Sequence, residues 1–265
     1  MAESTVSPYS TGDSAVTEQT IAGMRELAAR YPVGRSALLP MLHLVQSVEG
    51  RITPEGIEAC ADVLGLTGAE VSAVATFYTM YKRRPVGDYH VGVCTNTLCA
   101  IMGGDLIFSR LKEHLDVGND ETTEDGKITL EHIECNAACD YAPVMMVNWE
   151  FFDDMTPESA TALVDDLREG HEVKSPRGAT VCTWREAERV LAGFPDGRAD
   201  EGPAGGAATM VGLQIARERG WTAPNGANGS RKTAPATEPV PGPRPEDQPG
   251  KESQAVHADD ERKES

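Results

Sequence analysis

What is missing from these 265 residues narrows the reading first. No apolar run approaches the roughly 20 residues of a membrane-spanning helix, and the start, Met1-Ala-Glu-Ser-Thr-Val-Ser-Pro8, has neither the basic nor the apolar segment of a secretory leader. Neither membrane insertion nor secretion is expected, and the cytoplasm is the expected compartment. Positive charge is scarce: 24 Lys and Arg stand against 42 Asp and Glu, a net charge of -18, which argues against a nucleic-acid partner held through its phosphates. From residue 196 onward there are 9 basic and 12 acidic residues, or -3, so the first 195 carry the other -15. The acidity belongs to the part expected to fold. No glycine-rich phosphate loop follows a strand-like segment, so nothing here points to nucleotide binding by this chain itself. There is no C-x-x-C, the spacing of dithiol catalysts and of most structural zinc pairs.

Six cysteines are present, and four form two short pairs, Cys94-Thr-Asn-Thr-Leu-Cys99 and Cys135-Asn-Ala-Ala-Cys139. In a reducing compartment, clustered thiols read as metal ligands rather than disulfides. Each pair follows a strand-like segment, so two neighbouring strand ends would bring four sulfurs to one sheet edge. Four thiolates so placed read as the ligands of a [2Fe-2S] cluster, a one-electron relay. Structural zinc is the competing reading, because a Cys₄ site needs only a tetrahedron of thiolates. His90, His114 and His132 are candidate replacements for a thiolate, but the four cysteines already complete a ligand set. Cys60 shares a helical face with Ile57 and Leu64 and reads as core. Cys182 stands alone, without an assigned role.

Periodicity organises the rest. Residues 16 to about 82 read as four helices. The first has Ile21, Met24, Ala28 and Tyr31 on one face and stops at Pro32. Ser36 is the expected cap of the second, which buries Leu38, Leu42, Val45 and Val48. Thr53-Pro54 starts the third, which Gly65 ends, and the capping box Thr67-Gly-Ala-Glu70 starts the fourth. Tyr89 to Cys94 reads as a strand. It is followed by a helix with Leu106, Ile107, Leu111 and Leu115 as its stripe, a polar turn from Gly118 to Gly126, and a strand from Lys127 to Glu134. Strands at 144–148 and 150–153 and a helix from Thr156-Pro157 to Gly170 complete a β-α-β-β-α order. The expected organisation is a flexible start (1–15), a helical region (16–87), the cysteine-bearing sheet domain (88–172), a helical extension (173–195) and a mostly disordered tail (196–265). That tail holds 8 of the chain's 17 prolines. Within it, 209–221, with Met210, Leu213, Ile215 and Trp221, is an expected docking segment. The Phe77, Tyr78 and Tyr81 aromatics with Arg83 and Arg84 read equally as a partner surface or as helix packing.

With these residues in hand, the chain resembles the E subunits of bacterial NADH:quinone oxidoreductase, respiratory complex I, counterparts of the mitochondrial 24-kilodalton subunit. The likeness covers roughly residues 16 to 170. It rests on Ala75-Thr-Phe-Tyr78, Arg84-Pro-Val-Gly87, the C-x₄-C and C-x₃-C pairs, Glu134-Cys135, Cys139-Asp-Tyr-Ala-Pro143 and the run from Asn148 to Met155-Thr156. The resemblance implies an α+β or α/β architecture, a helical bundle followed by a thioredoxin-like [2Fe-2S] domain, with Cys94, Cys99, Cys135 and Cys139 as ligands of one [2Fe-2S] cluster. It implies an FMN- and NADH-binding partner subunit and a larger iron-sulfur subunit, in the cytoplasmic arm of a membrane-bound, proton-translocating complex. No complete active site is expected in this chain alone. Similar subunits serve the diaphorases of NAD-linked hydrogenases and formate dehydrogenases, which is the alternative assembly. A free ferredoxin is a third reading, for which the helical first 85 residues have no use. Family members often carry Pro before the second cysteine and Gly within the second pair; this chain has Leu98 and Ala137 there. The -15 on the folded part leads us to expect a low reduction potential.

Overall fold

Threonine caps set the helical part. In the computed structural model, which describes residues 14–199, 201 and 207–221, Thr17 caps α1 (Glu18–Ala29), Thr53 caps α3 (Pro54–Leu64) and Thr67 caps α4 (Gly68–Phe77). The Thr53 hydroxyl accepts from the Gly56 amide at 3.1 Å, and Pro54 takes the first helical position, where its missing N–H costs nothing. Gly65 ends α3 at φ +64°, a conformation that only glycine reaches without strain. The capping box of Thr67 with Glu70 forms as read.

α2 (Leu38–Glu49) departs from expectation at its start. Ser36 does not cap it; a 3₁₀ turn over Gly34–Ala37 leads in, and the capping position falls on Ala37, with no side-chain bond. Burial decides the matter, because Leu38, Met41, Leu42, Leu44 and Val45 are all buried and α2 is the central rod of the helical core. Packing over most of its surface outweighs the roughly 1 kcal/mol of a cap. Pro40 lies in the first turn, where it is tolerated.

Beyond Asp88 the chain builds a five-stranded sheet in the order β2-β3-β1-β4-β5. Its strands are β1 (Tyr89–Cys94), β2 (Glu121–Thr122), β3 (Ile128–Ile133), β4 (Met145–Val147) and β5 (Glu150–Phe152). β1 runs parallel to β3, with Cys94 opposite Ile133, and antiparallel to β4. Alternation along β1 and β3 sends Val91, Val93, Ile128 and Leu130 to one face. There they meet Ile107 and Leu111 of α6 (Gly104–Leu115) and Leu163, Val164 and Leu167 of α7 (Pro157–Glu169). His90, Thr129 and Glu131 point the other way. Leu106, expected in the apolar stripe, is 62% exposed. A separate α5 (Thr97–Met102) precedes this helix, and Gly103, at φ +116°, breaks the two apart. β2 lies inside the segment expected to be only a turn.

α8 (Trp184–Leu191) locks the helical part to the other sheet face. Trp184 is 1% exposed, and Glu188, fully buried, accepts from Gln46 Nε2 (2.7 Å) and Trp149 Nε1 (3.2 Å) and bonds His43 Nδ1 at 2.6 Å. The described residues up to Gly212 form one compact unit. A last helix, α9 (Ala207–Glu218), occupies most of the segment expected to dock, with Met210 and Val211 exposed. The expectations for residues 1–13, 200, 202–206 and 222–265 lie outside the described residues. Among the described residues, no single helix is long and apolar enough to cross a membrane.

Candidate metal centre

The four paired cysteines lie at and just after the ends of β1 and β3. Cys94 is the last residue of β1 and its amide donates to the Val144 carbonyl at 3.0 Å, which ties the first loop to β4. Cys99 sits in α5, and Cys135 comes two residues after β3. Cys139 opens a 3₁₀ turn over Cys139–Tyr141. Cys94 and Cys99, 2% and 3% exposed, are packed with Ala138, Ala142 and Val144 in a small apolar cluster of their own, whereas Cys135 and Cys139 face solvent. One rim is therefore dry and the other wet.

Sulfur spacing tests the donor set. Cys135 Sγ and Cys139 Sγ are 3.8 Å apart. Two thiolates at about 2.3 Å from one tetrahedral metal would stand about 3.8 Å from each other. The exposed pair thus already has the bite a tetrahedral ion requires. Among the described residues no three His, Cys, Asp or Glu side chains gather around one ion position. The thiols come together as pairs, Cys94 beside Cys99 and Cys135 beside Cys139.

The surroundings of Cys99 and Cys139 favour their neutral thiols. Burial pushes the Cys99 thiol up to about 11, with the neighbouring Cys94 adding to the shift and the Val144 backbone opposing it. The Cys139 thiol is raised mainly by its hydrogen bond with Cys135. A soft cation would displace both protons on binding, so its capture is coupled to proton release. Burial also takes Cys60 up to about 12, consistent with its place in the core at 0% exposure. Cys182 is half-buried and lies apart from the four.

The loop backbones come close to the sulfurs. Ala137 adopts φ +56°, in the left-handed region, and its amide donates to Cys135 Sγ at 3.4 Å. A residue with a Cβ pays there for a conformation glycine takes freely, roughly 1 kcal/mol. In the first loop, a Cβ on Gly104 would lie 2.4 Å from the Cys94 carbonyl oxygen, so only glycine lets α6 start so near the cysteines.

A polar network unseen in the sequence lies behind the second loop. Glu131 accepts from Lys82 Nζ at 2.5 Å and bonds His90 Nε2 at 2.6 Å. Burial alone would raise the Glu131 carboxyl, but these two partners outweigh it and hold it at about 2. A cavity of about 260 Å³ runs from this cluster, past Trp149, to Cys135 and Asn136. Asn136 Nδ2 is buried there without a hydrogen-bond partner. His90 is thus engaged by Glu131. His114 bonds Asp165 at 2.7 Å, and the His132 ring packs edge-on to Phe108. Only fold-wide pairing of positions 82, 90 and 131 reveals this cluster, and no local motif signals it.

Comparison with known proteins adds an independent line. Residues 24–168 match the thioredoxin-like [2Fe-2S] ferredoxin family. The E subunit of the Mycobacterium tuberculosis NADH-quinone oxidoreductase is 66% identical over 201 residues, covering 76% of this chain and 80% of the relative. Its counterpart from Rickettsia bellii is 41% identical over 146 residues, 54% of this chain and 87% of the relative. Among solved structures, a NAD+-reducing [NiFe]-hydrogenase is similar over 50% of this chain and 22% of its own, at 18% identity and a TM-score of 0.46.

Proposed function

Because the chain belongs to the thioredoxin-like [2Fe-2S] ferredoxin family and, within it, to the E subunits of NADH-quinone oxidoreductases, we propose that Cys94, Cys99, Cys135 and Cys139 hold one [2Fe-2S] cluster through which single electrons pass. The observation that carries the reading is the placement of two chelating sulfur pairs at adjacent strand ends, one pair already at 3.8 Å. Such a cluster supplies a carrier that gains and loses one electron at a time. Cys94 and Cys99, set in the apolar rim, would hold the cluster on its dry side and exclude water there. Cys135 and Cys139 would hold it on the exposed side, where a partner can approach.

The donor in this reading is FMN on a partner subunit that oxidises NADH. Such a flavin would supply the conversion of a two-electron hydride into single electrons. Electrons continue to a larger iron-sulfur subunit in the cytoplasmic arm of a proton-translocating, membrane-bound complex. Leu98, Ile101 and Met102, exposed by 42%, 77% and 56%, supply an apolar border beside Cys99 for such an assembly.

Anaerobic purification of the full chain, with iron, sulfide and zinc analysis and EPR of the reduced protein, tests the reading. About two irons and two sulfides per chain are expected, with the signal lost in Cys94→Ser or Cys139→Ser. One zinc per chain without sulfide would refute it.

A further inference from the structure

Asn96 occupies the N-cap position of α5, where an asparagine ordinarily turns its side-chain oxygen onto the helix amides. Here it makes no such bond. The amide nitrogen turns away instead: Nδ2 donates to the Ile133 carbonyl at 3.0 Å and lies 3.9 Å from Cys94 Sγ. The carbonyl acceptor fixes which end of the amide is the nitrogen, because only N–H can donate to it. Its two hydrogens thus go to two places, one to the end of β3 and one toward the Cys94 sulfur.

Those two places are register partners, Cys94 opposite Ile133 across the parallel β1–β3 pair. Cys135 follows Ile133 by two residues. A single side chain therefore fastens the root of the first cysteine loop to the root of the second while offering a donor to a ligand sulfur. Forgoing the cap leaves helix amides without that partner, so the amide is held toward β3 and Cys94 by the contacts it makes there.

Resting on the cluster reading above, we propose that Asn96 is a positioning residue that sets the gap between the two loops and raises the reduction potential through its N–H···S contact with Cys94. A donor to a thiolate sulfur stabilises the extra negative charge of the reduced state more than the oxidised state, so it favours reduction. Asn96 itself takes no electron.

The test is a potentiometric EPR titration of the full chain purified with its cluster, as wild type, Asn96→Ser and Asn96→Gln. Serine can cap α5 in the ordinary way but lacks the amide, whereas glutamine keeps it. We expect Asn96→Ser to retain iron and sulfide but to lower the reduction equilibrium constant about tenfold, which is about 59 mV for one electron. Asn96→Gln should return it to within threefold of wild type. If Asn96→Ser assembles no cluster while Asn96→Gln does, the amide is required for positioning and the proposal stands. An unchanged potential in Asn96→Ser with its cluster intact overturns it, as does loss of the cluster in both variants. A wild-type chain that binds no iron and sulfide sinks the parent reading, an outcome seen before any variant is compared.

Discussion

Single residues in this protein carry their chemistry through partners distant in the chain. Glu131 is the clearest case, because its carboxyl is held at about 2 against an ordinary value of 4.5 by bonds to His90 and Lys82. A carboxyl depressed in the folded state contributes stability that is present above its unfolded value and is lost as pH falls through the folded one. The window is therefore about pH 4.5 down to about 2, and the contribution at neutral pH is about 3 kcal/mol. Urea unfolding of Glu131→Gln should show a loss of about 2–4 kcal/mol at pH 7, with the gap to wild type closing progressively between about pH 4.5 and about pH 2. A gap that stays constant across that range would contradict the assignment. The four cysteines are legible in the sequence, since their spacing and strand-end placement are local. Neither the Glu131 cluster nor the diversion of Asn96 is, since each depends on which strands become neighbours.

Elements follow local signals where a cap or a glycine decides and depart from them where tertiary burial decides. Thr53-Pro54, Thr67 to Glu70 and Thr156-Pro157 begin their helices as read. Each carries its own stop or start chemistry. The start of α2, the separation of α5 from α6 and the two-residue β2 escape a periodicity argument, because packing over most of a surface or a single ladder contact defines them. α8 is the element whose role was least visible. Its Glu188 gathers bonds from His43, Gln46 and Trp149, residues on two parts of the fold. Glu188→Ala leaves these groups buried without their acceptor, and we expect it to cost about 3–5 kcal/mol. Denaturant unfolding checks this, while a loss below about 1 kcal/mol would show that α8 is not the fastening element.

At the scale of the whole molecule, charge is the dominant property. The first 195 residues carry -15, and one carboxylate about 10 Å from an electron acceptor opposes its reduction by roughly 1.7 kcal/mol, about 70 mV, at an effective dielectric constant of about 20. Salt screens the exposed charges and reduces the sum. Starting from about -400 mV for plant-type clusters, the midpoint should stay low. A potentiometric titration is expected to place it below about -150 mV, and a higher value would contradict the electrostatic argument. The parallel seam of β1 and β3 has a further consequence. Both donor loops spring from adjacent strands locked in register, Cys94 opposite Ile133, so their roots have little freedom to relax when charge arrives. With the cluster held as proposed, such fixed roots would limit sulfur displacement between its two oxidation states and keep the reorganisation energy of electron exchange small.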